Sequence, residues 1–220
     1  MDLDIRYSIE KDAQTYINFV YNFKSFKHGR VDIQERLLSK LDPKLQNIIT
    51  SAGSEDAVYK GVFDYLTKIY NENPKLIEDS ISKLRATWEK AGSNIVYFLE
   101  FLYKKPFPFE RVTVYMTTNY IFPYNYEQRY FYANYKYISS QLATATHELN
   151  HFMFYYYYEF LKDKLGNEKY ELLKEALTFF SNPEQEGKPN ELPLRKLFKS
   201  KLWANLDEAI SLGAKYLLEN

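Results

Sequence analysis

Residues 147–151 read His147-Glu148-Leu149-Asn150-His151, an H-E-x-x-H pentapeptide in a chain that has only three histidines. On a helix, positions i and i+4 share a face, so the two imidazoles can bind a single Zn²⁺ from adjacent turns. Glu148 follows the first histidine by one residue, about 100° around the helix, and so lies beside a metal rather than on it. A carboxylate in that place can take a proton from a water held by the metal, the general-base role. The competing reading is two core histidines hydrogen-bonded to backbone, with the pattern arising by chance.

A catalytic zinc takes three protein ligands and keeps one position open. The chain has no cysteine, which excludes disulfides, thiolate ligands and a cysteine nucleophile. Any metal must then rely on histidine and carboxylate, a donor set that favours a catalytic site over a closed structural one. The remaining histidine, His28, sits in Phe26-Lys27-His28-Gly29, the composition of an exposed turn. The acidic residues downstream are the better supply: Glu159, Asp163, Glu168, Glu171 and Glu175.

Helical rise ranks them. A helix that ends near Phe160 travels about 13 Å past His151 at 1.5 Å per residue. A returning helix that starts near Asn167 reaches Glu175 after about 12 Å, level with the metal. Glu171 falls about 6 Å short unless the helices cross steeply, and stays open as the alternative ligand. Glu175 also lies among Leu172, Leu173, Ala176 and Leu177, where an unpaired carboxylate is costly.

The elements that must hold these residues follow from periodicity. Apolar spacing predicts helices over 8–24, 31–41, 43–50 and 54–71, and one from Asn73-Pro74 that breaks at Ala91-Gly92-Ser93 and resumes from Ile95 to Tyr103. Lys104-Lys105-Pro106-Phe107-Pro108 is the sharpest break. After it Val112, Val114 and Met116 alternate with polar neighbours as a strand, 119–125 reads as an irregular or edge segment around Pro123, and 130–137 is strand-like. The H-E-x-x-H helix is expected over about 139–161. It is apolar nearly all round, which marks a core helix. Gly166-Asn167 breaks the chain, a helix runs to about Ser181, 183–192 is a surface loop, and 194–218 is a last helix interrupted near Gly213. The expected fold class is α+β and mostly helical, divided into an N-terminal helical region, 1–105, and a region 106–220 that holds the site.

The whole chain bounds the partners. Its 220 residues carry 29 basic and 29 acidic side chains, a formal net charge of zero, so no global electrostatic case for nucleic acid or an anionic membrane arises. Lys196, Lys199 and Lys201 are interleaved with apolar residues, as on the solvated face of an amphipathic helix. There is no run of about 18 uncharged apolar residues and no secretory signal, so the expectation is a cytoplasmic protein without a membrane span. Tyrosine is abundant, with 22 copies beside 16 Phe, which predicts a tyrosine-rich core or groove. It names no ligand, and oligomeric state is not readable.

His147-Glu148-Leu149-Asn150-His151, followed by Glu175 in Lys174-Glu175-Ala176-Leu177-Thr178, resembles the zincin metallopeptidases of the gluzincin type. The resemblance covers about residues 110–182. It implies a zincin-like fold, with a small antiparallel sheet packed on the active-site helix. It also implies Zn²⁺ held by His147, His151 and Glu175, and hydrolysis of a peptide or protein substrate with Glu148 as general base. By the same analogy 130–137 forms the edge that pairs with an extended substrate, with 111–117 behind it. The metzincin extension, a third downstream histidine, is absent. Alternatives are zinc-dependent hydrolysis of another amide or ester, and a non-catalytic zincin-like binding or scaffold protein.

Overall fold

A computed structural model describes residues 1–21, 38–120 and 124–220. His28 and most of the helix expected over 31–41 lie outside the described residues. The chain is mostly helical with one four-stranded sheet, and it divides into two compact units, each built from separated stretches of sequence.

One unit comprises residues 3–86 and 113–141. It opens with a strand that the periodicity reading omits, β1 (Asp2–Tyr7). Leu3 and Ile5 are buried there between Asp2, Asp4 and Arg6, the period-two pattern of a half-buried strand. Ser8 then accepts the Lys11 amide at 3.2 Å and starts α1 (Ile9–Tyr21). Asp42 and Ser54 cap α2 (Pro43–Ser51) and α3 (Glu55–Glu72) by accepting the amides of Lys44 and Ala57, as short polar side chains do at an N-terminus. Tyr16 and Ile17 of α1, Leu45 and Ile49 of α2, and Val58, Val62 and Leu66 of α3 form one buried cluster.

The sheet follows the order β1-β2-β4-β3. β2 (Arg111–Thr117) runs parallel to β4 (Tyr130–Asn134), with Thr113 opposite Tyr130 and Thr117 opposite Asn134. β3 (Tyr124–Asn125) pairs antiparallel with β4. The expected antiparallel sheet is therefore mixed. The expected substrate-pairing edge, 130–137, is also corrected: β4 lies between β2 and β3, and the outer position falls to β3 within the 119–125 segment. Parallel pairing needs a long crossover, and side-chain alternation carries no sign of strand direction.

The second unit comprises residues 1–2, 87–112 and 142–220. Its first helix is the end of α4 (Pro74–Tyr103), which continues through Gly92 without the expected break. A Cβ at Gly92 would collide with the Trp88 indole, so the glycine accommodates a packed ring rather than ending the helix. α5 (Gln141–Tyr158) carries H-E-x-x-H. Its middle is buried from Glu148 through Phe154, whereas Ala143 and Tyr156 are exposed. α6 (Leu161–Leu177) kinks at Gly166, whose φ of 72° suits a glycine; the break expected at Gly166-Asn167 is this kink. The last expected helix is two, α7 (Leu192–Lys199) and α8 (Leu206–Glu219). The interruption falls before Asn205, which caps α8 by accepting the Glu208 amide. Gly213 lies inside α8, where a Cβ would stand 2.8 Å from Leu173 Cδ1, so the glycine permits close packing on α6. Met153, Phe154 and Tyr158 of α5 join Leu173 and Leu177 of α6, Phe198 of α7 and Ile210 of α8 in one core. Among the described residues no helix is long and apolar enough to cross a membrane.

Candidate metal centre

Helical periodicity puts His147, His151 and Tyr155 in one row on α5, each a turn beyond the last. Glu171 and Glu175 form the matching row on α6. The two rows run in opposite directions: Tyr155 donates its hydroxyl hydrogen bond to Glu171, and His151 and His147 face Glu175. The rise arithmetic thus has the right register, and it separates the two glutamates. Glu175 reaches the histidines, while Glu171 is taken up one turn away by Tyr155.

The convergence is close. His151 Nε2 lies 3.4 Å from Glu175 Oε1, and His147 Nε2 lies 3.8 Å from Glu175 Oε2. Potential ligand atoms of the three residues all fall within 4.8 Å of one another. Donors at about 2.0–2.2 Å from one tetrahedral zinc stand roughly 3.3–3.6 Å apart. The pair distances sit close to that, so the donor set and spacing fit a divalent cation without being specific to zinc.

Burial sets the protonation states. His151 is 1% exposed. Burial, with Lys174 and His147 beside it, holds its pKa well below the ordinary value. His147 is lowered too, by burial against the opposing pull of Glu175 and of a hydrogen bond with Gln185. Both imidazoles are therefore neutral, the form that ligates. Burial works against the Glu175 carboxylate, but Lys174 and Lys188 outweigh it and keep the group ionised below its usual range. Glu148 behaves oppositely: burial and the Glu175 charge push its carboxyl up to about 8. Its Oε2 is buried and, among the described residues, has no hydrogen-bond partner, an orphaned acceptor of the kind that asks for an explanation.

Several residues that the sequence reading did not single out frame this cluster. Lys174 is buried, with Nζ 2.7 Å from Glu171 Oε2 and 3.3 Å from Glu175 Oε1. Burial opposes its charge, but Glu175 and Glu171 raise its pKa beyond the ordinary value. Lys188, exposed on the loop before α7, brings Nζ to 3.8 Å from Glu175 Oε2. Arg195 of α7 is buried and clamps that loop. Its Nε donates to Glu191 at 3.1 Å, Nη1 to the Gln185 carbonyl at 2.9 Å and Nη2 to Thr178 Oγ1 at 2.9 Å. A Cβ at Gly187 would collide with the Arg195 side chain, so the loop passes directly over the guanidinium. The i, i+4 spacing of Glu191 and Arg195 was the available sequence signal. Asn150, inside the pentapeptide, is buried, accepts the Tyr103 hydroxyl at 2.5 Å and donates to Ser181 Oγ at 3.0 Å, which fixes the rotation of α5.

No protein-family model, no curated protein and no solved structure matches the chain. The functional reading accordingly stands on the site's own residues.

Proposed function

We propose that this chain is a zinc-dependent metallopeptidase of the gluzincin type, with His147, His151 and Glu175 as metal ligands and Glu148 as general base. The observation that carries the reading is the convergence of two imidazoles and one carboxylate within 4.8 Å, beside a second carboxyl whose buried Oε2 has no hydrogen-bond partner among the described residues. A bound zinc supplies Lewis-acid polarisation of the scissile carbonyl and a lowered pKa for the attacking water. With such a zinc bound, Glu148 would be the group placed to accept a proton from the attacking water and to pass it to the leaving amine. Glu175 contributes negative charge and His147 the more open flank, since its side chain is 18% exposed while that of His151 is 2% exposed. The substrate class is peptide or protein, and a zincin-like fold belongs to the same proposal.

One observation favours a second reading, a non-catalytic binding or scaffold protein. Glu175 already has a buried cationic partner in Lys174, so the cluster is also complete as a structural ion pair. The test is Glu148→Gln, which removes the base and keeps all three ligands. It should bind zinc as the parent does and lose cleavage of a peptide library. A variant as active as the parent would overturn the mechanism.

A further inference from the structure

Lys174 stands where an apolar residue would pack more cheaply. It sits in α6 between Leu173 and Ala176, both fully buried, and its side chain is 1% exposed. Burying an ammonium costs several kcal/mol unless its partners are well placed. Here they form a chain from one helix to the other. The Tyr155 hydroxyl bonds to Glu171 Oε1, Glu171 Oε2 lies 2.7 Å from Lys174 Nζ, and Lys174 Nζ lies 3.3 Å from Glu175 Oε1. Tyr155 is one turn beyond His151 in the histidine row, so the chain begins and ends at the site.

The two oxygens of Glu175 consequently have different surroundings. Oε1 is shared by the buried Lys174 and His151, at 3.3 and 3.4 Å. Oε2 faces His147 at 3.8 Å and Lys188 at 3.8 Å. Lys188 is 70% exposed and can swing away; Lys174 is enclosed and cannot.

We propose that Lys174 is a positioning residue of the metal centre: it holds Oε1 of Glu175 through the Tyr155–Glu171 chain and so leaves Oε2 as the oxygen offered to a cation. The inference rests on the metal-centre reading given above. It assigns the Glu171–Lys174 pair a role in coordination rather than in folding alone.

The test replaces the pair together, Glu171→Gln with Lys174→Met, so that one negative and one positive charge leave and the net charge of the site is unchanged. Parent and variant are titrated with Co²⁺ as the probe, following its visible d–d absorption, and with Zn²⁺ in competition; thermal stability is recorded alongside. The parent should bind one Co²⁺. The variant should bind it about 10- to 100-fold more weakly, the usual effect of losing a partner that orients a ligand. Its bands should also weaken as Glu175 swings both oxygens inward and the coordination number rises. An unchanged affinity and spectrum would overturn the proposal and make the pair a structural salt bridge. If the parent itself binds no Co²⁺, the metal-centre reading fails and this inference fails with it. Should the double variant not fold, Tyr155→Phe removes one link of the chain and no charge. A few-fold weaker affinity supports the proposal there, and parent-like binding overturns it.

Discussion

Asp12 permits a quantitative test of how this sequence distributes charge in its interior. The residue is fully buried in the first turns of α1. Its carboxylate accepts hydrogen bonds from Thr117 Oγ1 at 2.5 Å, the Thr118 amide at 3.0 Å, Thr118 Oγ1 at 2.8 Å and the Tyr7 hydroxyl at 3.1 Å. Burial nevertheless outweighs these donors and raises the carboxyl from 3.8 to about 6. Between those values the folded protein retains a proton that the unfolded chain has released. Its contribution to stability is therefore fully present below pH 3.8 and is lost as pH rises through 6. The shift of about two units corresponds to roughly 3 kcal/mol at 1.36 kcal/mol per unit. The perturbation is Asp12→Asn, which cannot titrate. Urea unfolding of parent and variant, followed by far-UV circular dichroism from pH 3.5 to 7.5, gives the difference in stability. Other titrating groups cancel in that difference. It should move by about 3 kcal/mol in favour of the variant as pH rises. A flat difference, or one that moves in favour of the parent, would refute the reasoning: the four hydrogen bonds would then hold Asp12 ionised in spite of its burial.

Two further predictions concern the candidate centre. Glu175→Ala should weaken zinc binding far more than Glu171→Ala, because Glu175 faces both histidines and Glu171 is bound to Tyr155 and Lys174; isothermal titration calorimetry of the two variants decides it, and the reverse order would sink the ligand assignment. Lys188→Ala removes an exposed cation that competes for Glu175 Oε2, so zinc affinity should rise by about two- to fivefold, the scale of an exposed ion pair. A fall in affinity would mean that Lys188 supports the site rather than competing in it.

The parts of the site that sequence exposes are those governed by helix geometry. The i, i+4 pair and the matched rise of two antiparallel helices depend on local regularity, so His147, His151 and Glu175 could be brought together on paper. Lys174 could not, because a lysine beside a glutamate in a helix reads as surface. Its burial depends on Tyr155 and Glu171 arriving from two directions, and only the folded chain sets that. Glycines misled for a related reason. Gly92 and Gly213 read as breaks, but each gives up a side chain to a neighbour, Trp88 in one case and Leu173 with Phe198 in the other. The Gly166 kink was readable because there the backbone itself demands a positive φ. Strand existence was likewise readable from alternation in 111–117, and the same alternation in β1 could have been used. Strand order and direction were not, since they depend on which distant segments pair.

The most direct measurement is the metal content of the purified protein by elemental analysis, beside a variant carrying His147→Ala and His151→Ala. About one zinc per chain, absent from the variant, is the predicted result, because the two imidazoles and Glu175 form one site. No metal in the parent, even after incubation with zinc, would contradict the account and leave His147, His151 and Glu175 as members of a buried ion-pair network centred on Lys174.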